Sequence, residues 1–151
     1  MDLFTNADAT GQEKVLKILN NIFSGCTLNI EQHTEDKGRV DIFMTATTHN
    51  GIRKTYAIEC KDRWFPHSLY PDMMLDKEKY DVLKSYSKSG YTPIFFNTFS
   101  DDTYIVWDVL KATVDIRNVK TKKTTVEYNG YIDKPRCFFK TSDFTFSGRT
   151  S

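Results

Sequence analysis

The two segments on either side of the Asn50-Gly51 pair place the strongest constraint on how this chain can fold. Residues 39–46 and 54–61 both alternate between apolar and polar side chains, and a period of two is typical of β-strands. An Asn-Gly pair between two such runs favours a tight antiparallel hairpin. Six side chains are expected on the inward face of this hairpin: Val40, Ile42, Met44, Tyr56, Ile58 and Cys60.

The opposite face of the hairpin carries Asp41 on its first strand, and Glu59 and Lys61 on its second. Antiparallel pairing would bring the two carboxylates together at the end of the hairpin that lies away from the turn. Two carboxylates can hold magnesium, and a neighbouring lysine can orient a water or stabilise developing charge, which suits hydrolysis of a phosphodiester. The alternative is that these charges form cross-strand ion pairs on a solvated surface.

The remaining periodicity predicts an α-β-β-β-α-β-β order. Apolar residues spaced by three and four predict a first helix that begins near a candidate cap at Thr10 and stops near Gly25. The other expected elements are strands at 27–33, 39–46 and 54–61, a loop at 62–75, a helix at 75–89 capped by Asp76 and ended by Gly90, and strands at 93–99 and 103–109.

The C-terminal third predicts a further β-hairpin. Its expected arms are residues 113–119 and 124–128, with a basic tip at 120–123, followed by one more strand at 131–139 and a loose end. Residues 1–110 hold 12 Lys or Arg and 16 Asp or Glu, whereas residues 111–151 hold 9 and 4. This basic surplus can supply phosphate contacts, or it can be an ordinary solvated face.

Composition points to one folded domain over residues 1–151, with a core at about 11–110 and a basic extension at 111–151. The hydrophobic fraction of 39% includes 11 Phe, 8 Tyr and 2 Trp, enough for a core of this size. We expect a soluble, cytoplasmic protein without a membrane span, because no secretion signal or long apolar run is present. The three cysteines, an odd number without a close pair, are expected to stay reduced.

The motifs Gly38-Arg39-Val40-Asp41-Ile42 and Ala57-Ile58-Glu59-Cys60-Lys61, set in this order of elements, resemble those of the PD-(D/E)xK nuclease superfamily. That superfamily includes restriction endonucleases, Holliday-junction resolvases and recombination exonucleases, and the resemblance covers roughly residues 11–110. It implies an α/β, restriction-endonuclease-like core with a mixed central sheet, here with an extra C-terminal β-hairpin. Val40 replaces the proline of the signature.

The resemblance also implies roles for individual residues. Asp41 and Glu59 would bind magnesium, for which manganese can substitute, Lys61 would assist the attacking water, and Glu13 of the first helix would complete the metal site. Resolvases and recombination exonucleases often turn a Gln, Lys or Tyr of the second helix toward the site. The matching candidates here are Lys77, Lys79 and Tyr80. Beside this resemblance, the sequence itself offers Lys122 and Lys123 of the basic tip as contacts to nucleic acid, and Arg63, which could contact phosphate or pair with Asp62.

The expected activity is a magnesium-dependent endonuclease acting on DNA, with a homodimer if two strands are cut together. The alternatives are a nucleic-acid-binding or protein-interaction module that keeps the fold without turnover, and a structural α/β protein. His33, His49 and His67 share no metal-ligand spacing, although His67 could touch substrate. The loop aromatics Trp64, Phe65 and Tyr70 could stack on bases or cover an edge of the core.

Overall fold

A computed structural model describes residues 3–32, 40–122 and 131–150 of the chain. Within these ranges it contains two α-helices, nine β-strands and two short 3₁₀ turns. In chain order they are α1 (Leu3–Ile22), β1 (Cys26–Gln32), β2 (Ile42–Thr48), β3 (Arg53–Asp62), β4 (Asp72–Asp76), α2 (Lys77–Ser85), a 3₁₀ turn (Tyr86–Ser89), β5 (Thr92–Thr98), β6 (Thr103–Asp108), β7 (Val114–Lys122), β8 (Tyr131–Lys140), a second 3₁₀ turn (Thr141–Asp143) and β9 (Phe146–Arg149).

Six strands form the main sheet in the order β1-β2-β3-β5-β6-β9. The pairing of β3 with β5 is parallel, and the other four pairings are antiparallel. The chain is thus of mixed α/β class with a mixed sheet, as expected. Parallel neighbours need a crossover connection, and here that connection is the segment from residue 63 to residue 91.

The central hairpin of the sheet is confirmed. Strand β2 pairs antiparallel with β3, with Ile42 opposite Ile58, and Gly51 in the connecting turn has a φ of 86°. That left-handed conformation is open to glycine without steric cost. Strand β2 begins at Ile42 rather than at residue 39, so Asp41 lies in the bend that leads into the strand.

Three other strands form a second sheet in the order β4-β8-β7, with both pairings antiparallel. The prediction of a loop throughout residues 62–75 is therefore wrong at its end, where β4 begins at Asp72. Pro66 and Pro71 marked a loop correctly up to this point, but Met73 and Leu75 are buried and alternate with the partly buried Asp72, Met74 and Asp76. Their pairing partners lie more than 60 residues further along the chain, beyond the reach of local patterns.

The predicted arrangement of the C-terminal third is corrected in two places. The first arm of the hairpin, β7, pairs with residues 131–140; the proposed second arm at 124–128 lies outside the described residues. The final segment was expected to be loose, but β9 pairs with β6 and places Gly148 opposite Tyr104. The extra C-terminal hairpin therefore exists as β7 and β8, and a ninth strand extends the main sheet.

Each face of the main sheet is covered by its own hydrophobic core. On one face, α1 packs Val15, Ile18 and Leu19 against the sheet; this helix begins at Leu3, seven residues before the expected cap at Thr10. On the other face, α2 and the second sheet cover Ala57. This second core also contains Leu83, Phe95, Trp107, Phe139 and Val40.

Val40 was expected to share a face with Ile42, but the two side chains belong to opposite cores. The bend at Asp41 interrupts the alternation between them. In the described part of the chain no helix combines the length and the apolar character needed to cross a membrane.

The docking of β9 can be tested by substitution of Gly148. A Cβ at this position would lie 2.6 Å from Oη and 2.8 Å from Cζ of Tyr104, whose ring is buried and stacks on Phe96. We expect Gly148→Ala to lower the free energy of unfolding by about 1–3 kcal/mol, because the whole ring must move. Gly25→Ala, which meets no atom within 4 Å, is the control and should change it by less than about 0.5 kcal/mol in urea denaturation.

Candidate active site

Asp41 and Glu59 lie next to each other at one end of the main sheet. Asp41 immediately precedes Ile42, and Glu59 immediately follows Ile58, the residue that pairs with Ile42. The Asp41 carboxylate is held in place because its Oδ2 accepts a hydrogen bond of 2.8 Å from the backbone N–H of Cys60. The convergence of two acids that the alternation predicted is thus present.

Glu59 is buried to an unusual degree for an acid, with only 4% of its surface exposed. Burial, followed by the negative charge of Asp41, raises the pKa of Glu59 to about 7. The ammonium groups of Lys79 and Lys61 act in the opposite direction without cancelling that shift. The surroundings of Glu59 therefore disfavour its charged form, first through lost hydration and then through the neighbouring Asp41.

Two lysines surround the pair from different elements. Lys61 follows Glu59 on the same face of β3, and Lys79 reaches over from α2 to place its Nζ 3.4 Å from Oε1 of Glu59. Burial lowers the pKa of Lys61, and the nearby Lys79 lowers it further. Burial also lowers the pKa of Lys79, but the attraction of Glu59 and Asp41 outweighs that effect and leaves the pKa above its ordinary value.

Asp76 adds a second charged group beside Lys79. It stands at the N-cap position of α2, as predicted, but makes no capping hydrogen bond. Its carboxylate instead forms ion pairs with Lys134, at 3.1 Å, and with Arg136, both on β8. The cap position therefore serves to attach the second sheet to the start of the helix that carries Lys79.

Arg63 anchors the segment that follows the motif. Its Nε donates a 2.7 Å hydrogen bond to Oδ1 of Asn97, and its Nη2 donates one of 2.7 Å to the backbone carbonyl of Met74. Burial lowers the pKa of this guanidinium to about 10. Arg63 was expected to contact phosphate or to pair with Asp62; in the structure it does not pair with Asp62, which is bound by Lys14 and Thr98.

Polar burial in the described ranges is concentrated at this one end of the sheet. The buried polar side chains there are Gln12, Glu59, Asn97, Thr98 and Thr103. The amide nitrogen of Asn97 is buried and lacks a hydrogen-bond partner among the described residues. A buried polar group without a hydrogen-bond partner reduces the stability of the fold and is often retained for function. The buried polar side chains therefore mark this end of the sheet as the candidate functional site.

Glu13, the expected third acid, is exposed on α1, and the described structure gives it no contact with Asp41 or Glu59. The buried polar residue of that turn is Gln12, whose Oε1 accepts a 3.1 Å hydrogen bond from Gln32 at the end of β1. Helical spacing in the sequence could have identified Gln12 as the residue that faces the sheet. It precedes the buried Val15 by three residues and so shares its face, whereas Glu13 precedes it by two.

The other predicted contacts are spread over the molecule. Lys77 forms an exposed ion pair with Asp81, and the ring of Tyr80 packs edge-on against Phe139 in the core, so of the three candidates on α2 only Lys79 contacts an acid of the pair. Lys122 ends β7, and Lys123 lies outside the described residues. His67 pairs with Asp101 at 2.6 Å.

The donor set for a metal is small. Nowhere in residues 3–32, 40–122 and 131–150 does a group of three or more His, Cys, Asp or Glu side chains come together that could hold a metal ion. Burial and the negative charges of Asp41 and Glu59 raise the pKa of the Cys60 thiol well above its ordinary value and so favour its neutral form. Asp41 and Glu59 are the carboxylates available at this site.

Comparisons with protein-family models, with curated proteins and with solved structures find no match to this chain. The geometry of the site must therefore carry the functional argument by itself.

The substitution Glu59→Gln tests the raised pKa of Glu59 directly. A raised pKa means that the folded state holds the proton more tightly, so the wild-type protein loses stability as the pH rises from about 4.5 to about 7. Glutamine cannot ionise, so in a chelating buffer at pH 8 we expect Glu59→Gln to be more stable by about 1–3 kcal/mol. The two proteins should converge in stability near pH 4.5.

Urea denaturation at both pH values measures this difference. The control is Glu78→Gln, an exposed acid in the first turn of α2, which should show no gain at pH 8. A Glu59→Gln protein that is less stable than wild type at pH 8 would contradict a raised pKa of Glu59.

Proposed function

We propose that the chain is a magnesium-dependent nuclease that hydrolyses phosphodiester bonds, most simply as a DNA endonuclease. The observation that carries this proposal is the buried carboxylate of Glu59 next to the partly buried carboxylate of Asp41, with Lys61 and Lys79 beside them. A chain does not bury one acid beside another for stability, because the buried acid loses hydration and the two repel each other. Strongly perturbed carboxylates of this kind are typical of functional sites.

The pair fits a magnesium ion better than it fits zinc or calcium. Magnesium is bound in many phosphoryl-transfer sites by only one or two carboxylates, while waters and substrate phosphates fill its other positions. Zinc sites favour Cys and His ligands, and calcium needs six to eight oxygens. We leave Glu13 out of the proposed ligand set because its side chain is exposed. When bound, magnesium would neutralise charge on the phosphate and acidify a water.

The protein side chains divide the remaining tasks. Asp41 is fixed by the N–H of Cys60 and Glu59 by the sheet and by Lys79, so both carboxylates are oriented before substrate arrives. Lys61, on the same face, is placed to orient the attacking water and to stabilise the negative charge that develops on the phosphate oxygens. Water forms the new bond to phosphorus, the bond to the leaving oxygen breaks, and that oxygen takes up a proton.

Lys79 has a different proposed task from Lys61. It approaches Glu59 from the helix side, and its pKa is raised, so it stays charged over the physiological range. Without substrate it offsets part of the charge of the acid pair. With substrate it can move to a phosphate oxygen, since 53% of its side chain is exposed. A cation that changes partners in this way would compensate Glu59 before substrate binds and the phosphate afterwards.

The resemblance to PD-(D/E)xK nucleases supports the same proposal. A helix, a three-stranded meander, a second helix and a further strand follow one another in the described chain, with β4 inserted before the second helix. On this basis we propose a restriction-endonuclease-like core whose motif residues are Asp41, Glu59 and Lys61. A basic surplus in residues 111–151 is consistent with a nucleic-acid partner.

Removal of either acid or of the motif lysine should abolish cleavage. We expect Asp41→Asn, Glu59→Gln and Lys61→Met to lower the cleavage rate of plasmid and branched DNA with magnesium or manganese by at least about a hundredfold. Asp81→Asn, which alters an exposed acid on α2, is the matched control and should retain full activity. Wild-type protein that cuts no nucleic acid and binds no divalent metal would refute the nuclease and leave a non-catalytic module.

Lys77 and Lys79 provide a second comparison on one helix. Lys79 contacts Glu59, whereas Lys77 pairs with Asp81 away from the site. We expect Lys79→Met to slow cleavage by roughly ten- to a hundredfold, as loss of an electrostatic contact in a partly buried site does, and Lys77→Met to change it by less than about twofold. Equal effects of the two substitutions would show that Lys79 acts only through general surface charge.

A further inference from the structure

Trp64, three residues after Lys61 of the candidate site, is an aromatic residue whose side chain contributes little to the core. The indole of Trp64 is 84% exposed, while the other exposed large hydrophobic side chains of the described residues reach at most 55%. Tryptophan carries one of the largest apolar surfaces of any residue and is buried in most folds. The exposure of Trp64 therefore costs stability unless a ligand covers the ring.

The ring is nevertheless held in a defined position. Trp64 meets Phe65 edge to face at 5.6 Å, and Phe65 in turn meets Tyr70 at 4.9 Å and packs against the buried Phe99. The backbone on both sides is pinned to the main sheet, since the N–H of Arg63 binds the carbonyl of Thr98 and the carbonyl of Phe65 binds the N–H of Ser100. Trp64 is thus a pre-positioned flat surface, which lowers the entropic cost of binding.

The position along the chain places Trp64 close to Lys61 of the candidate site. Trp64 follows Lys61 by three residues, so their Cα atoms are at most about 11 Å apart. This span equals about three stacked nucleotide steps of about 3.4 Å each. A strand whose phosphate lies at Asp41 and Glu59 can therefore place a nearby base on the indole.

The loop that carries Trp64 continues to His67, which lines a polar cleft. His67 lines a cleft of about 430 Å³ that also contains hydroxyl groups, among them Ser142 and Ser147, and the guanidinium of Arg149. Hydroxyls and a guanidinium suit a sugar-phosphate backbone. Along the chain, Trp64 lies between Lys61 of the candidate site and His67 of this cleft.

We infer that Trp64 is a stacking site for an unpaired nucleobase, so that the preferred substrate is single-stranded nucleic acid or a junction with unpaired bases. This inference rests on the proposed nuclease function and names the substrate class for the same site. A base inside a regular duplex has both faces covered by its neighbours, whereas an unpaired base offers a free face to an aromatic ring. The adjacent cations Lys61 and Lys79 favour a polyanion over an apolar protein surface as the occupant.

The two tryptophans of the chain make the inference measurable by fluorescence. Trp107 is fully buried and its indole N–H binds the carbonyl of Lys140, so only Trp64 can report contact with a ligand. We expect an oligothymidylate of about 12 nucleotides, added in a chelating buffer that prevents cleavage, to quench the wild-type emission. The emission of Trp64→Phe, which comes from Trp107 alone, should not respond.

Affinity gives the second readout, measured by anisotropy of the labelled oligothymidylate in the same buffer. Trp64→Ala should weaken binding by about tenfold or more, the order expected for loss of one base-aromatic stack, and Trp64→Phe should retain most of the affinity because it keeps a ring. Leu69→Ala, which removes an exposed apolar side chain of the same loop, is the matched control and should bind as wild type. A blunt duplex should bind wild type and Trp64→Ala equally.

Three results would overturn the stacking site. These are equal affinity of wild type and Trp64→Ala for the oligothymidylate, failure of wild type to bind it, and an emission shift that depends on protein concentration alone, which would assign Trp64 to an interface between copies. The assay requires no turnover, so it is independent of the nuclease proposal. Cleavage without a role for Trp64 refutes only the stacking site, whereas stacking without metal-dependent cleavage refutes only the nuclease.

Discussion

The parallel pairing of β3 with β5 is the constraint on which the candidate site depends. Two parallel neighbours cannot be joined by a tight turn, so the chain must leave the end of β3 and return to the start of β5. This crossover connection contains Trp64, β4 and the helix α2 with Lys79. Glu59 and Lys61 come from β3 and Asp41 from the bend before β2, whereas Lys79 and Trp64 come from the crossover. One topological requirement therefore brings the separate parts of the site together.

The electrostatics of the site follow from the same arrangement. Glu59 points to the face of the sheet that α2 and the second sheet cover, and this cover removes the water that would otherwise stabilise its charge. Lys79 and Lys61 act against the upward shift in the pKa of Glu59 but offset only part of it. The result is a site whose unliganded state is less stable than an apolar replacement would be, a trade-off common where function needs buried charge.

Much of the central sheet could be predicted from the sequence because its signals are local. Alternation in β2 and β3, with Asn50-Gly51 between them, determines both the pairing and the faces, and this places Asp41 beside Glu59. Lys79 could be named as a candidate but not separated from Lys77, since the rotation of a helix is set by what it packs against. Glu13 was chosen over Gln12 by analogy, although the spacing from Val15 favours Gln12.

What the sequence did not reveal depends on distant pairings. Strand β4 is five residues long and follows two prolines, so it has the local character of a loop; it becomes a strand only because β8 lies beside it. The same holds for β9, whose partner β6 is about 45 residues away. Asp76 has the sequence signature of a helix cap, and its ion pairs with Lys134 and Arg136 could be found only from the structure.

The second sheet also determines when the candidate site can be completed during folding. Met73 and Leu75 precede α2 and are buried against β8, a strand that begins at Tyr131. When only the first hundred residues have left the ribosome, Asp41 and Glu59 are present, but β8, the strand that pairs with β4 of the crossover, is not. Contacts of such long sequence separation form late in folding. Lys79, which lies over Glu59, is thus secured only after β8 has been synthesised, so the site cannot be completed before a strand that begins as late as Tyr131.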